Sequence, residues 1–97
     1  MLKHIVLIKL KPDAPAGSAS RIMAALRELP ATIPEIVSLD VGTNVVESDR
    51  NLDLGLIVEF ADRAALDHYA IHPDHVAVVQ EYIRPVAQRL AVVDFEQ

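Results

Sequence analysis

Eight consecutive residues, His68-Tyr69-Ala70-Ile71-His72-Pro73-Asp74-His75, hold three of the chain's four histidines and one of its two tyrosines. An unperturbed histidine titrates at about 6.5, so it can take and return a proton near neutral pH. A tyrosine hydroxyl is still protonated there and can donate to an oxygen that is gaining charge. Proton abstraction beside a carbonyl needs these two groups, a base at the C–H and a donor at the enolate oxygen. A helix broken at Pro73 could aim Tyr69 from one piece and His75 from the other into a common cleft. The competing reading is local: His75 hydrogen-bonds within its own corner and Tyr69 is an ordinary core aromatic. A metal is the third possibility, since His72 and His75 stand three apart with Asp74 between them. Zinc needs three or four converging ligands, whereas Pro73 fixes the backbone here and the chain has no cysteine. No metal is expected. His68 reads as a solvated helix residue and His72 as mostly a corner residue before proline.

The elements that must position this corner follow from the hydrophobic pattern. Lys3 to Lys11 is a strand, with His4, Val6, Ile8 and Leu10 on one face and Ile5 and Leu7 on the other. After a loop rich in proline and glycine, Ser18 or Ser20 caps a helix whose apolar stripe is Ile22, Leu26 and Leu29. Pro30 is expected to end that helix or follow its last turn. Glu35 to Val46 and Leu52 to Ala61 form two strands joined by a five-residue polar turn, an antiparallel hairpin with Leu54, Leu56, Val58 and Phe60 on one face. Asp62 caps a short helix that presents Ala65, Leu66 and Tyr69 on one side. Pro73 suits the first position of the next helix, with Val76, Val79 and Ile83 on its apolar face and an end near Tyr82 or Arg84. Gln88 to Phe95 is the last strand. There, Asp94 and Glu96 read as edge charges, although Asp94 shares a face with Leu90 and Val92 and could hydrogen-bond inside.

The order strand, helix, strand, strand, broken helix, strand is the ferredoxin-like β-α-β-β-α-β plan. It is an α+β fold with a four-stranded antiparallel sheet and helices on one face. Residues 1–97 make a single domain on this reading. Both sheet faces carry aliphatic residues but only one has helices to cover it, so a two-fold dimer that buries the other face is expected.

Bulk composition agrees. The chain is 52% hydrophobic and 24% charged, richer in apolar residues than an ordinary soluble domain. With a net charge of −5 and scattered basic residues it lacks the basic stripe that nucleic acid requires, and anionic membranes are disfavoured too. Ile5-Val6-Leu7-Ile8 is too short for the core of a signal peptide and is closed by Lys9 and Lys11. Cytoplasm is the default location.

Five segments together resemble the stress-responsive dimeric α/β-barrel family. They are HIVLIKLK (4–11), IPEIVSLDVGTN (33–44), LGLIVEFAD (54–62), the corner YAIHPDH (69–75) and the closing VVDFE (92–96). The corner and the closing strand are the specific parts. The resemblance implies two ferredoxin-like subunits joined into one barrel. Among its members are plant polyketide cyclases of the olivetolic acid cyclase kind, which close a poly-β-keto chain by a cofactor-free aldol step. Carried over by motif, the general base falls on His75 and the assisting hydroxyl on Tyr69. His4 matches a pocket histidine of the first strand and His72 the first histidine of the corner. This chain departs from the cyclases at Leu56, where they carry a further histidine, and at Ile22, Met23 and Leu26, which replace pocket aromatics.

The expectation is therefore a homodimer with a pocket for a small hydrophobic carbonyl compound, lined by His4, Val6, Ile8, Leu56, Val58 and His72. In it His75 and Tyr69 act as a cofactor-free, cyclase- or lyase-like acid–base pair. Two other classes fit the same resemblance: a non-catalytic stress-protective oligomer, and a cofactor-independent monooxygenase on the same barrel plan.

Overall fold

A computed structural model describes residues 1–97. The elements are β1 (Leu2–Leu10), α1 (Ser18–Thr32), β2 (Ser38–Thr43), β3 (Leu54–Phe60), α2 (Arg63–Ile71), α3 (Pro73–Val78) continuing into a π turn (Val79–Ile83), and β4 (Ala87–Glu96). The sheet order is β2-β3-β1-β4 with every neighbouring pair antiparallel, which is the ferredoxin-like plan. No helix is long and apolar enough to cross a membrane.

One face of the sheet carries the core. Leu2, Val6 and Ile8 of β1 and Leu54, Leu56, Val58 and Phe60 of β3 pack against Ile22, Leu26 and Leu29 of α1. Leu66, Tyr69, Val78 and Ile83 complete that layer from the second helical arm. The strand period of two sends the alternate residues to the other face, where Leu7, Ile57, Val93 and Phe95 stay exposed. This is the uncovered apolar face that the pattern implied. On the helix side, Leu90 and Val92 of the edge strand β4 stand opposite Ile8 and Val6 and are exposed as well.

Several local expectations are corrected. The first helix is capped by neither Ser18 nor Ser20. Its N-cap is Gly17 in the left-handed region (φ 85°), while the Ser18 hydroxyl donates back to the Pro15 carbonyl at 2.6 Å. Pro30 lies inside the helix, which runs on to Thr32. The residue is exposed and in the last turn, and the Ile33 N–H still reaches the Leu29 carbonyl at 2.9 Å. A proline there removes a single ladder bond on the solvent side, so the turn survives. The hairpin strands are shorter than their hydrophobic runs: Val45 and Val46 fall in an exposed loop. In the last helix the buried positions are Val78 and Ile83, and Val76 is exposed. The π turn shifts the helical phase there, with the Arg84 N–H donating to Val79 five residues back at 2.9 Å.

Phe60, 0% exposed at the centre of the core, provides a test. Phe60→Ala is expected to lower stability by about 3–5 kcal/mol, whereas Val37→Ala on the surface should change it by less than about 0.5 kcal/mol. Urea denaturation of the two variants measures both.

Candidate active site

The corner is built by two caps and a break. Asp62 accepts the Ala65 N–H at 2.9 Å and starts α2. His72 has extended dihedrals (φ −62°, ψ 132°), as a residue before proline should, and α2 ends there. Its Nδ1 accepts the Asp74 N–H at 3.1 Å, so the same histidine caps α3, with Pro73 at the first position. His72 is thus a structural residue of the corner. His68 is exposed and sits 3.5 Å from Glu35.

The break turns Tyr69, in the last turn of α2, and His75, in the first turn of α3, toward each other. Their ring centroids are 4.2 Å apart at 39°. Phe60 lies 5.0 Å from the Tyr69 ring, and His4 meets that ring edge-on at 5.9 Å. His75 Nδ1 is 3.1 Å from the Ala70 carbonyl. A carbonyl only accepts, so in the neutral ring the proton sits on Nδ1 and Nε2 carries the basic lone pair. His4 Nδ1 is 2.5 Å from an Asp94 carboxylate oxygen. The two residues are register partners on β1 and β4, and the same logic leaves His4 Nε2 as that ring's free nitrogen.

Tyr69 is only 1% exposed, and its hydroxyl makes no hydrogen bond within the chain. No unpartnered side-chain polar atom is sealed from solvent anywhere in the structure. The hydroxyl is therefore not fully sealed, although the ring that carries it is packed in the core. Burial pushes its pKa well up, which keeps the proton on oxygen. Burial also lowers the pKa of His75. The bond to Ala70 opposes that shift, while His4 and His72 add to it. A neutral base and a protonated donor thus coexist near pH 7. No three histidine, aspartate or glutamate side chains converge as a metal site would require.

Residues 2–97 match the Stress responsive A/B Barrel Domain family. The chain belongs to this family. A stress-response A/B barrel domain-containing protein from Arabidopsis thaliana is 28% identical over 96 residues; the match takes in 98% of this chain and 36% of that protein. The chain therefore spans about a third of the length of this curated relative. Among solved structures, a dimeric protein of unknown function with a ferredoxin-like fold from Bacteroides fragilis is 33% identical, with a TM-score of 0.84 over 99% of this chain and 95% of that one. A hydroxynitrile lyase from Passiflora edulis has a TM-score of 0.84 at 17% identity, covering 97% of this chain and 90% of its own, a likeness of fold alone.

Within this A/B barrel domain His4, Tyr69 and His75 come together, and His72 joins them only through the backbone corner. Val6, Ile8, Leu56 and Val58 are packed into the core beneath the helices. Depressions of about 670 and 680 Å³ lie on the uncovered sheet face and by the β2–β3 loop, and neither is lined by Tyr69 or His75. Phe60 had no sequence signal of its own and read as one more aliphatic-face residue. Asp94 hydrogen-bonds on the face it shares with Leu90 and Val92, as the alternation allowed, but that its partner is His4 depends on a β1–β4 register that the pattern does not encode.

The lowered pKa of His75 fixes a sign. The unfolded chain binds its proton first as pH falls through about 6.5, so acidification should cost the native state stability there. By NMR the His75 ring should titrate below 6.5. The loss of stability between pH 7 and pH 5 should shrink in His75→Gln; an unchanged loss in that variant would contradict the assignment.

Proposed function

We propose that the protein is a homodimeric, cofactor-free acid–base catalyst of the cyclase or lyase type, acting on a small hydrophobic carbonyl compound. His75 Nε2 removes a proton from the carbon beside the carbonyl, and the bonding pair moves onto the carbonyl oxygen. The Tyr69 hydroxyl donates to that oxygen as it becomes an enolate. When the enolate carbon attacks an electrophile, or a leaving group departs, the imidazolium of His75 returns the proton. His4, held by Asp94, offers Nε2 as a second polar contact at the same aromatic cluster. The observation that carries this reading is Tyr69: its ring is buried, its hydroxyl has no partner within the chain, and its ring centre lies 4.2 Å from that of a histidine whose Nδ1 is already engaged. An apolar wall with one free donor and one free base is what an uncharged carbonyl substrate requires.

One observation favours a different reading, a non-catalytic stress-protective oligomer. The four aliphatic residues expected to line a ligand pocket are core residues; Leu56 alone also borders the depression of about 670 Å³, and neither of the two depressions of nearly 700 Å³ is lined by Tyr69 or His75. The two readings differ in a measurable rate. Deuterium exchange at the α-carbon of a medium-chain 2-alkanone, followed by NMR, should be accelerated by the protein. His75→Ala should slow it by about 10²–10⁴-fold and Tyr69→Phe by about 10²–10³-fold, with the fold intact by circular dichroism. Exchange no faster than with free imidazole, or equal in His75→Ala, would leave the non-catalytic oligomer. Light scattering tests the assembly separately and should give twice the chain mass.

A further inference from the structure

Gly42 of β2 and Gly55 of β3 are register partners on the uncovered face of the sheet. The chain's own geometry asks for neither. Gly17 is the chain's one residue with positive φ, so both strand glycines have backbones that any residue adopts. A Cβ built on Gly42 would meet nothing within 4 Å, and one on Gly55 would meet only Leu7, at an ordinary 3.8 Å. Glycine weakens a strand, and a pair of them marks a place where something else comes close. Their missing side chains help to leave the depression of about 670 Å³, which Ile5, Leu7 and Ile57 also line. No side chain of this chain fills it.

The opposite corner of the same face carries Phe95, 38% exposed, with Val93 beside it at 53%. From Gly42 to Phe95 is three strand spacings across the sheet and four residues along it. At about 4.8 Å per strand and 3.4 Å per residue, both legs are about 14 Å. Hole and knob therefore lie at the two ends of one diagonal. A two-fold axis in the plane of the face, along the other diagonal, exchanges them. Each copy then gives its Phe95 and receives the other's, as an isologous interface requires, and the strands of the two sheets cross near a right angle. The same operation brings Lys3, the register partner of Phe95, beside Asp40 of the second copy, two residues from Gly42 on the same face. The other carboxylate near Lys3, that of Glu59, already accepts the Ser38 hydroxyl at 3.0 Å. The fit of knob to hole carries the docking, since the same operation sets Glu59 about as near to that Asp40 as Lys3 is.

We infer that the Gly42–Gly55 depression receives Phe95 of a second copy of this chain, and that the pair of glycines exists for that side chain. The inference rests on the homodimer reading and adds its pairing scheme. Gly42→Leu fills the hole and Phe95→Ala removes the knob. Each variant alone should weaken self-association at least about ten-fold in sedimentation equilibrium. Mixed in equal amounts, the two should form a heterodimer again. At one contact the filled hole of the first variant meets the truncated knob of the second, and the other contact is unaltered. Native mass spectrometry separates the heterodimer from both homodimers. Should Gly42→Leu fail the circular dichroism check for folding, Gly55→Val takes its place in the same mixture. A mixture that associates no better than its components, or single variants that dimerise like the wild type, would overturn the pairing. A monomeric wild type would instead overturn the homodimer reading itself.

Discussion

Pro73 has no amide hydrogen and its ring crowds the residue before it, and the candidate site depends on those two facts. Together they stop α2 at His72 and allow α3 to start at once in a new direction. In an unbroken helix Tyr69 and His75 would be six residues and about 9 Å of rise apart, on different faces. The break folds that rise back on itself and brings the two rings to 4.2 Å. His72 then makes the corner stable by giving α3 its cap, which is why one of three clustered histidines is structural, while His75 engages only its Nδ1 within the chain. The same corner explains the electrostatics. Tyr69 is buried because α2 ends with its last turn against Phe60, and His75 loses part of its hydration by lying on that ring.

A second constraint divides the molecule in two. Helices cover one face of a four-stranded sheet whose strands are aliphatic on both. The covered face holds the core and, at its β1–β4 end, the ring cluster. The uncovered face holds the glycine depression and the Phe95 corner. Because strand residues alternate, each strand serves both faces at once: on β1, His4 belongs to the site and Lys3 and Ile5 to the other face.

These two constraints were legible to different degrees. The helix break follows from a proline at a fixed place in a short helical segment, so local chemistry was enough for it. Whether Tyr69 and His75 would meet or His75 would bond within its own corner was open, and the structure holds both, with the rings 4.2 Å apart and His75 Nδ1 on the Ala70 carbonyl. The ferredoxin-like order and the uncovered face follow from alternation along strands, which is also local. What sequence spacing leaves open is register. That His4 faces Asp94 across β1 and β4, or that Gly42 faces Gly55 across β2 and β3, is decided by the hydrogen-bond ladder over tens of residues. Tertiary context also overruled propensity at Pro30, where an exposed last turn tolerates one lost bond, and at Val76, where the π turn changes which residues face inward.

β4 is where site and assembly meet. It is an edge strand, held within the chain by β1 alone, and a long edge with apolar residues on both faces needs cover. Its Asp94 side chain faces the site and holds His4, while Val93 and Phe95 on either side of it face the other way. In the proposed dimer those two neighbours are clamped by the second copy, and the backbone between them can no longer fray. The aspartate that fixes the His4 ring is then positioned by a contact on the opposite side of the sheet. A monomer would retain the stack of Tyr69 on His75, which depends only on the helix break, but would hold His4 more loosely. Dimerisation of that kind would act on one half of the ring cluster and leave the other half to the corner at Pro73.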